Sequence, residues 1–155
     1  MMMRFAALSL LALAAGPAAA QAPASGPPAV VDHIALNAAD ADASAAFYRR
    51  AFGFQDTPTS LPNTRWLTMG GGVTLHLIGG RTAAVSPNRI VHFAVRTEDL
   101  DKSIAYFDAA GIAWSDFTGK PRNIQTRFDG VRQVFIQDPD GYWVEVSDTH
   151  GQPQP

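Results

Sequence analysis

Two stretches of the chain match without a gap at an offset of 59 residues: VDHIALNAADADASAAFY at positions 31–48 and IVHFAVRTEDLDKSIAYF at 90–107. His33 falls on His92, Ala35 on Ala94, Asp40 on Asp99, Asp42 on Asp101, Ser44 on Ser103 and Ala46 on Ala105. The apolar positions correspond as well, Ile34 with Phe93, Leu36 with Val95 and Tyr48 with Phe107. Such a repeat makes the fold one supersecondary unit built twice, and each local element must agree with its mate.

Each unit opens on a short aliphatic, β-branched run bounded by polar residues, which predicts a strand. A helix follows, with Asp40 or Asp99 at its start to accept free backbone N–H groups and Gly53 or Gly111 just beyond its end. Three further strands are expected in the first unit, at 54–59, 64–69 and 73–78, with Gly70, Gly71 and Gly72 as the turn. The second unit repeats them at 112–117, 131–137 and 143–147, with Asp138-Pro139-Asp140-Gly141 as the turn. Both units therefore read βαβββ, an α+β architecture of two tandem modules over 31–79 and 90–148. The second module is longer by a polar loop, Thr118 to Gly130.

The body so defined spans about 30–148 and is flanked by segments of other character. Residues 1–20 carry Arg4, an apolar run from Phe5 to Ala15, and Ala18-Ala19-Ala20 at a small-residue cleavage site. That pattern predicts a secretory signal peptide cut after Ala20, and eleven apolar residues fall short of the roughly 20 that a membrane span needs. The expected destination is the periplasm or the exterior of a bacterium. Residues 21–29 (QAPASGPPA) read as a disordered linker and 149–155 as a polar tail. A net charge of −2 with no dense Lys/Arg block argues against nucleic acid or a membrane surface as partner. The chain has no cysteine. Disulfides, thiolate metal sites and a cysteine nucleophile are thereby excluded, and any metal must be held by His, Asp or Glu.

The histidines give that restriction a location. Strand side chains alternate faces, so His33 and His92 each share a face with a small alanine, Ala35 or Ala94, that leaves room beside the ring. Aligning TLHLI (74–78) with WVEVS (143–147) puts His76 on Glu145. A lone histidine on an apolar strand is more often a hydrogen-bonded core residue than a ligand. Two repeat-related pairs made only of ligand types shift the balance to a metal site formed by His33, His76, His92 and Glu145. His150, in the tail, has no mate. Imidazoles with one carboxylate suit a divalent ion such as Zn, Ni, Co, Mn or Fe(II) and leave positions open for substrate. Glu145, the one carboxylate of the set, is the candidate general base.

The two βαβββ units, the HIAL…FY…GF opening (33–54), the VHFAV strand (91–95) and the closing DPDGYWVEV (138–146) resemble the vicinal oxygen chelate superfamily, the glyoxalase, bleomycin-resistance and extradiol-dioxygenase group. The resemblance covers about 31–148 and implies that the two modules form a partly open β-barrel. In metal-dependent members the ligands come from the first and last strands of each unit, which map onto His33, His76, His92 and Glu145. The closing motif is most similar to glyoxalase I proteins, which isomerise the hemithioacetal of methylglyoxal and glutathione through a metal-bound enediolate. Glyoxalase I usually carries Glu or Gln at the position of His76, and a histidine there makes a different base.

The resemblance thus implies a metal-dependent, glyoxalase-like lyase or isomerase acting on a small vicinal-oxygen substrate, and a homodimer. Its alternatives are an extradiol-type dioxygenase, a fosfomycin-type thiol transferase, and a non-catalytic small-ligand binding protein of the same fold. Arg65 and Arg132 precede matching strands and are candidate contacts to an anionic substrate. Lys120, Arg122 and Gln125 lie on the extra loop, a candidate lid. Tyr142 and Trp143 flank Glu145 as packing or as a substrate platform.

Overall fold

The computed structural model describes residues 29–86 and 88–148. The residues read as a signal peptide, nearly all of those read as a linker, and the tail with His150 lie outside the described residues. The first module consists of β1 (His33–Ala38), α1 (Ala41–Phe52), β2 (Gln55–Thr57), β3 (Thr64–Gly70) and β4 (Val73–Gly79). The second consists of β5 (His92–Arg96), α2 (Leu100–Ala110), β6 (Trp114–Ser115), β7 (Gln125–Thr126), β8 (Arg132–Gln137) and β9 (Trp143–Ser147).

Both helices begin and end where the sequence places them. The Asp40 carboxylate accepts from the N–H groups of Asp42 and Ala43, and that of Asp99 from the N–H of Lys102. Gly53 and Gly111 close the helices in the left-handed region, at φ 69° and 67°, where a Cβ would be strained.

Each module forms its own sheet, in the order β1-β4-β3-β2 and β5-β9-β8-β6, with β7 added beside β8. In both, the first and last strands run parallel and the rest antiparallel. Neither sheet closes, in keeping with a partly open barrel. The registers repeat too: Ala35 lies opposite His76 as Ala94 lies opposite Glu145.

Two details depart from the sequence reading. The strand expected at 112–117 is only two residues long, because the buried Asp116 carboxylate accepts from the Thr118 hydroxyl, the Lys120 N–H and the Asn123 amide and turns the chain away. The hydroxyl of Thr118, ahead of the other donors, holds Asp116 at a pKa of about 2. The loop that follows contains an unexpected short strand, β7.

One face of each sheet packs on the helices, and the two modules share a single core. Leu36, Leu67, Leu75 and Leu77 of the first module meet Val134, Ile136, Val144 and Val146 of the second in one buried cluster around Tyr48 and Phe107. Tyr48 is fully buried; its ring lies 6.1 Å from that of Phe93, and its hydroxyl donates to Asp138 across the modules at 2.8 Å. Burial, with the Asp138 charge adding to it, pushes the Tyr48 pKa far up, so the phenol remains a donor. Asp140 is a second junction. Its carboxylate accepts from the Ala39 N–H, the Ser44 hydroxyl and the Arg81 guanidinium, at 2.7, 2.5 and 2.7 Å.

Candidate functional site

The opposite face of each sheet carries the polar and aromatic residues singled out by the repeat. On the first sheet, alternation along β1, β4 and β3 brings His33, His76 and Trp66 into a row. The rings of His33 and His76 stack with centroids 4.2 Å apart and planes 11° from parallel, and those of His76 and Trp66 at 4.2 Å and 9°. The His33 Nδ1 lies 2.7 Å from the Asp32 carboxylate, so the N–H sits there and Nε2 keeps its lone pair. His76 Nε2 lies 3.0 Å from the Thr74 hydroxyl. Burial first, and then the proximity of His33, lowers the His76 pKa, with Asp32 opposing. His76 is therefore neutral at pH 7.

On the second sheet His92 and Glu145 meet at 3.3 Å, Nε2 to Oε2. His92 Nδ1 lies 2.6 Å from the carbonyl of Arg89, an acceptor, which places the proton on Nδ1 and leaves the Nε2 lone pair toward the carboxylate. Two lone pairs facing one another at that distance require a positive species to join them, a proton or a metal ion. Glu145 is 7% exposed. Its other contacts come from residues that the sequence reading did not select. Arg127 Nη1 lies 3.4 Å from Oε1, and Gln133, with its amide nitrogen turned to the carboxylate as its neighbours require, lies 3.2 Å from both oxygens. Gln133 was legible in principle, since it alternates with Phe135 on the face of Glu145. Arg127 was not, because it reaches the site from an aperiodic loop.

The four predicted ligands thus come together as two pairs, His33 with His76 and His92 with Glu145. Among the described residues no group of three or more His, Asp or Glu gathers in reach of one ion. The imidazole and desolvated carboxylate of His92 and Glu145 fit half a metal site, whereas on the other sheet His33 keeps a free Nε2 and His76 stacks beside it with its Nε2 on Thr74.

The predicted substrate contacts divide. Gln125 is brought to the site, with its amide 3.2 Å from that of Gln133. Lys120 is exposed on the loop. Arg65 and Arg132 face the helices. Arg65 grips Asp42 through two bonds of 2.6 and 2.9 Å, and Arg132 grips Asp101 at 3.0 and 2.6 Å. Each pins the first turn of its own helix to a strand, so their match in the repeat records a structural clamp. Arg122 binds Asp108 in the same bidentate way.

An open cleft of ≈ 620 Å³ lies between the modules, lined by Phe52, Phe54, Met69, Val95, Lys102 and Tyr106 among others. It contains none of the four ligand-type residues.

The chain belongs to the Glyoxalase/Bleomycin resistance protein/Dioxygenase superfamily, whose family model matches residues 30–146. Members of that superfamily typically bind divalent metals. Among solved structures the chain is similar to a lactoylglutathione lyase from Agrobacterium tumefaciens, with 27% identity, a TM-score of 0.62, and coverage of 79% of this chain and 96% of that one. It is similar to Oxidase ChaP-H2, with 25% identity, a TM-score of 0.65, and coverage of 77% and 93%. It shares its fold with the fosfomycin resistance protein FosX from Listeria monocytogenes, at 17% identity, a TM-score of 0.62, and coverage of 77% and 90%.

Proposed function

We propose that this protein is an exported, homodimeric, metal-dependent lyase or isomerase of the glyoxalase type, acting on a small substrate with oxygens on adjacent carbons. The observation that carries the reading is the contact between His92 and Glu145, in which a histidine with its Nδ1 proton tied to a carbonyl turns its lone pair to a buried carboxylate. His33 and His76 hold the repeat-related positions. Because one chain keeps the two pairs apart, the reading takes the complete site to be assembled from the first module of one chain and the second module of its partner, as a two-fold dimer allows.

A divalent cation held by His33, His76, His92 and Glu145 would supply Lewis acidity to a pair of substrate oxygens. The chain's own residues do the rest. Glu145 carries the proton, taking it from the carbon bearing one oxygen and returning it to the neighbouring carbon. Arg127 and Gln133 hold its carboxylate in place between those two events.

One observation favours a second reading. The Nε2 of His76 is engaged by Thr74, and setting His76 aside leaves His33, His92 and Glu145, the two-histidine, one-carboxylate set of non-haem Fe(II) oxygenases. The similarity to Oxidase ChaP-H2 points the same way.

Elemental analysis of reconstituted protein tests both readings, with about one equivalent of metal per chain expected and loss of it in His92→Ala. Less than roughly a tenth of an equivalent, unchanged by that substitution, would sink them together. Turnover of the methylglyoxal–glutathione hemithioacetal, against oxygen uptake with a catechol, then separates lyase from oxygenase.

A further inference from the structure

Of the arginines that no carboxylate of the described residues reaches, Arg89 is the one that the fold half-buries. Arg65, Arg81, Arg122, Arg127 and Arg132 each hold a carboxylate. Among the described residues no carboxylate lies in ion-pair range of Arg89. Arg50 and Arg96 share that property, but both are exposed, where water solvates the charge. Arg89 is half-buried, and its Nε is shut off from solvent with no hydrogen-bond partner among the described residues.

Its position is tightly specified. The guanidinium carbon lies 3.8 Å from the centroid of the Trp143 ring, a stacking distance that orients the plane of the group. Nη2 lies 3.5 Å from the Ser115 hydroxyl, and a Cβ on Gly119 would come within 2.9 Å of Nη1, so the loop runs close beside the group. Trp143 is the register partner of His92 and lies on the face of Glu145, two residues along β9. The carbonyl of Arg89 itself receives the His92 Nδ1 proton. One residue therefore orients the histidine through its backbone and presents a cation beside it through its side chain.

Desolvating a guanidinium costs free energy that an anion recovers. Arg127 is shared between Asp129, at 2.7 Å, and Glu145, at 3.4 Å. Arg89 thus brings to this face a half-buried cation that no carboxylate of the described residues meets directly, and its planar fork matches a carboxylate. We infer that Arg89, stacked on Trp143, recognises a carboxylate of the substrate, which makes the substrate class a small acid whose pair of adjacent oxygens lies on the two carbons following the carboxylate. This inference rests on the reading of the His92–Glu145 face as the reaction site.

Isothermal titration of the reconstituted protein with glycerate and with its uncharged isostere glyceramide tests it, with metal content measured on the same samples. Glycerate is expected to bind about tenfold or more tightly than glyceramide, a preference abolished in Arg89→Gln and Arg89→Ala while metal content and the melting transition are unchanged. Arg89→Lys keeps a charge without the planar stack and should retain part of the preference. Equal binding of the two compounds, no glycerate binding at millimolar concentration, or a preference kept in Arg89→Gln would overturn the inference. An Arg89-dependent preference in a protein that takes up no metal would uphold it and retire the metal reading instead.

Discussion

Trp66 and His76 lie face to face across β3 and β4, with ring centroids 4.2 Å apart and planes 9° from parallel. The pair closes one end of the ring row and fixes the plane of His76, whose other face is covered by His33. Trp66→Leu removes the stack and part of the apolar surface that shields His76. A loss of about 1–2 kcal/mol is expected from urea unfolding, since ring pairs contribute roughly 0.5–1.5 kcal/mol beyond the area they bury. A change below about 0.5 kcal/mol would show that the stack is incidental.

His76 should titrate below the usual histidine value of about 6.5. Burial is the main cause and His33 the second, so His33→Ala should move the His76 pKa upward, read from its ring proton resonances in metal-free protein. The sign for stability follows. A group with a depressed folded pKa contributes stability above its unfolded value and loses it as the pH falls through the folded one. The metal-free protein is therefore expected to weaken below about pH 6.5, and Asp32→Asn, which removes an opposing charge, to lower the His76 pKa further. An unchanged or upward shift in Asp32→Asn would contradict this account.

A site shared between two chains has a signature in mixed dimers. His33→Ala damages the first half and Glu145→Ala the second, and each variant alone should lose its metal. After subunit exchange, every heterodimer holds one undamaged and one doubly damaged site, so about a quarter of the sites in an equal mixture regain metal. No recovery, with exchange verified by mass spectrometry, would place the complete site within one chain.

Asp140 is 3% exposed in its side chain and joins β1, α1 and Arg81 through three hydrogen bonds. Asp140→Ala leaves the half-buried Arg81 charge and the Ala39 N–H unmatched. A loss of about 3 kcal/mol or more is expected in thermal or urea unfolding, and a much smaller one for Lys102→Ala, which breaks only the exposed pair with Asp99. Similar small losses at both sites would mean that water replaces the buried bonds.

Much of this was legible before any coordinates. The 59-residue offset placed the helix caps at Asp40 and Asp99, Gly53 and Gly111 marked the helix ends, and the separate match of TLHLI with WVEVS put His76 on Glu145, which the registers opposite Ala35 and Ala94 reproduce. The match between the strands RWLTM and RQVFI paired Arg65 with Arg132, and there the reading as substrate contacts does not match their placement. Each arginine is one residue out of phase with its histidine-side neighbours, on the face that meets a helix. The companion match of Asp42 with Asp101 was the signal for a clamp. Arg127 and Arg89 lie in segments without periodicity, where a side chain's neighbours depend on how the loop folds back.

What the sequence determined alone is the content of each module: period-two alternation and turn chemistry act over a few residues, so they decide which side chains share a face and which pairs form within a sheet. What only the tertiary structure decided is that the two pairs stay on two separate sheets of one chain. That outcome follows from the long-range packing of Tyr48 on Phe93 and Asp138, and of the Tyr106 hydroxyl on the Arg50 carbonyl, contacts that span 45 to 90 residues and leave no periodic trace.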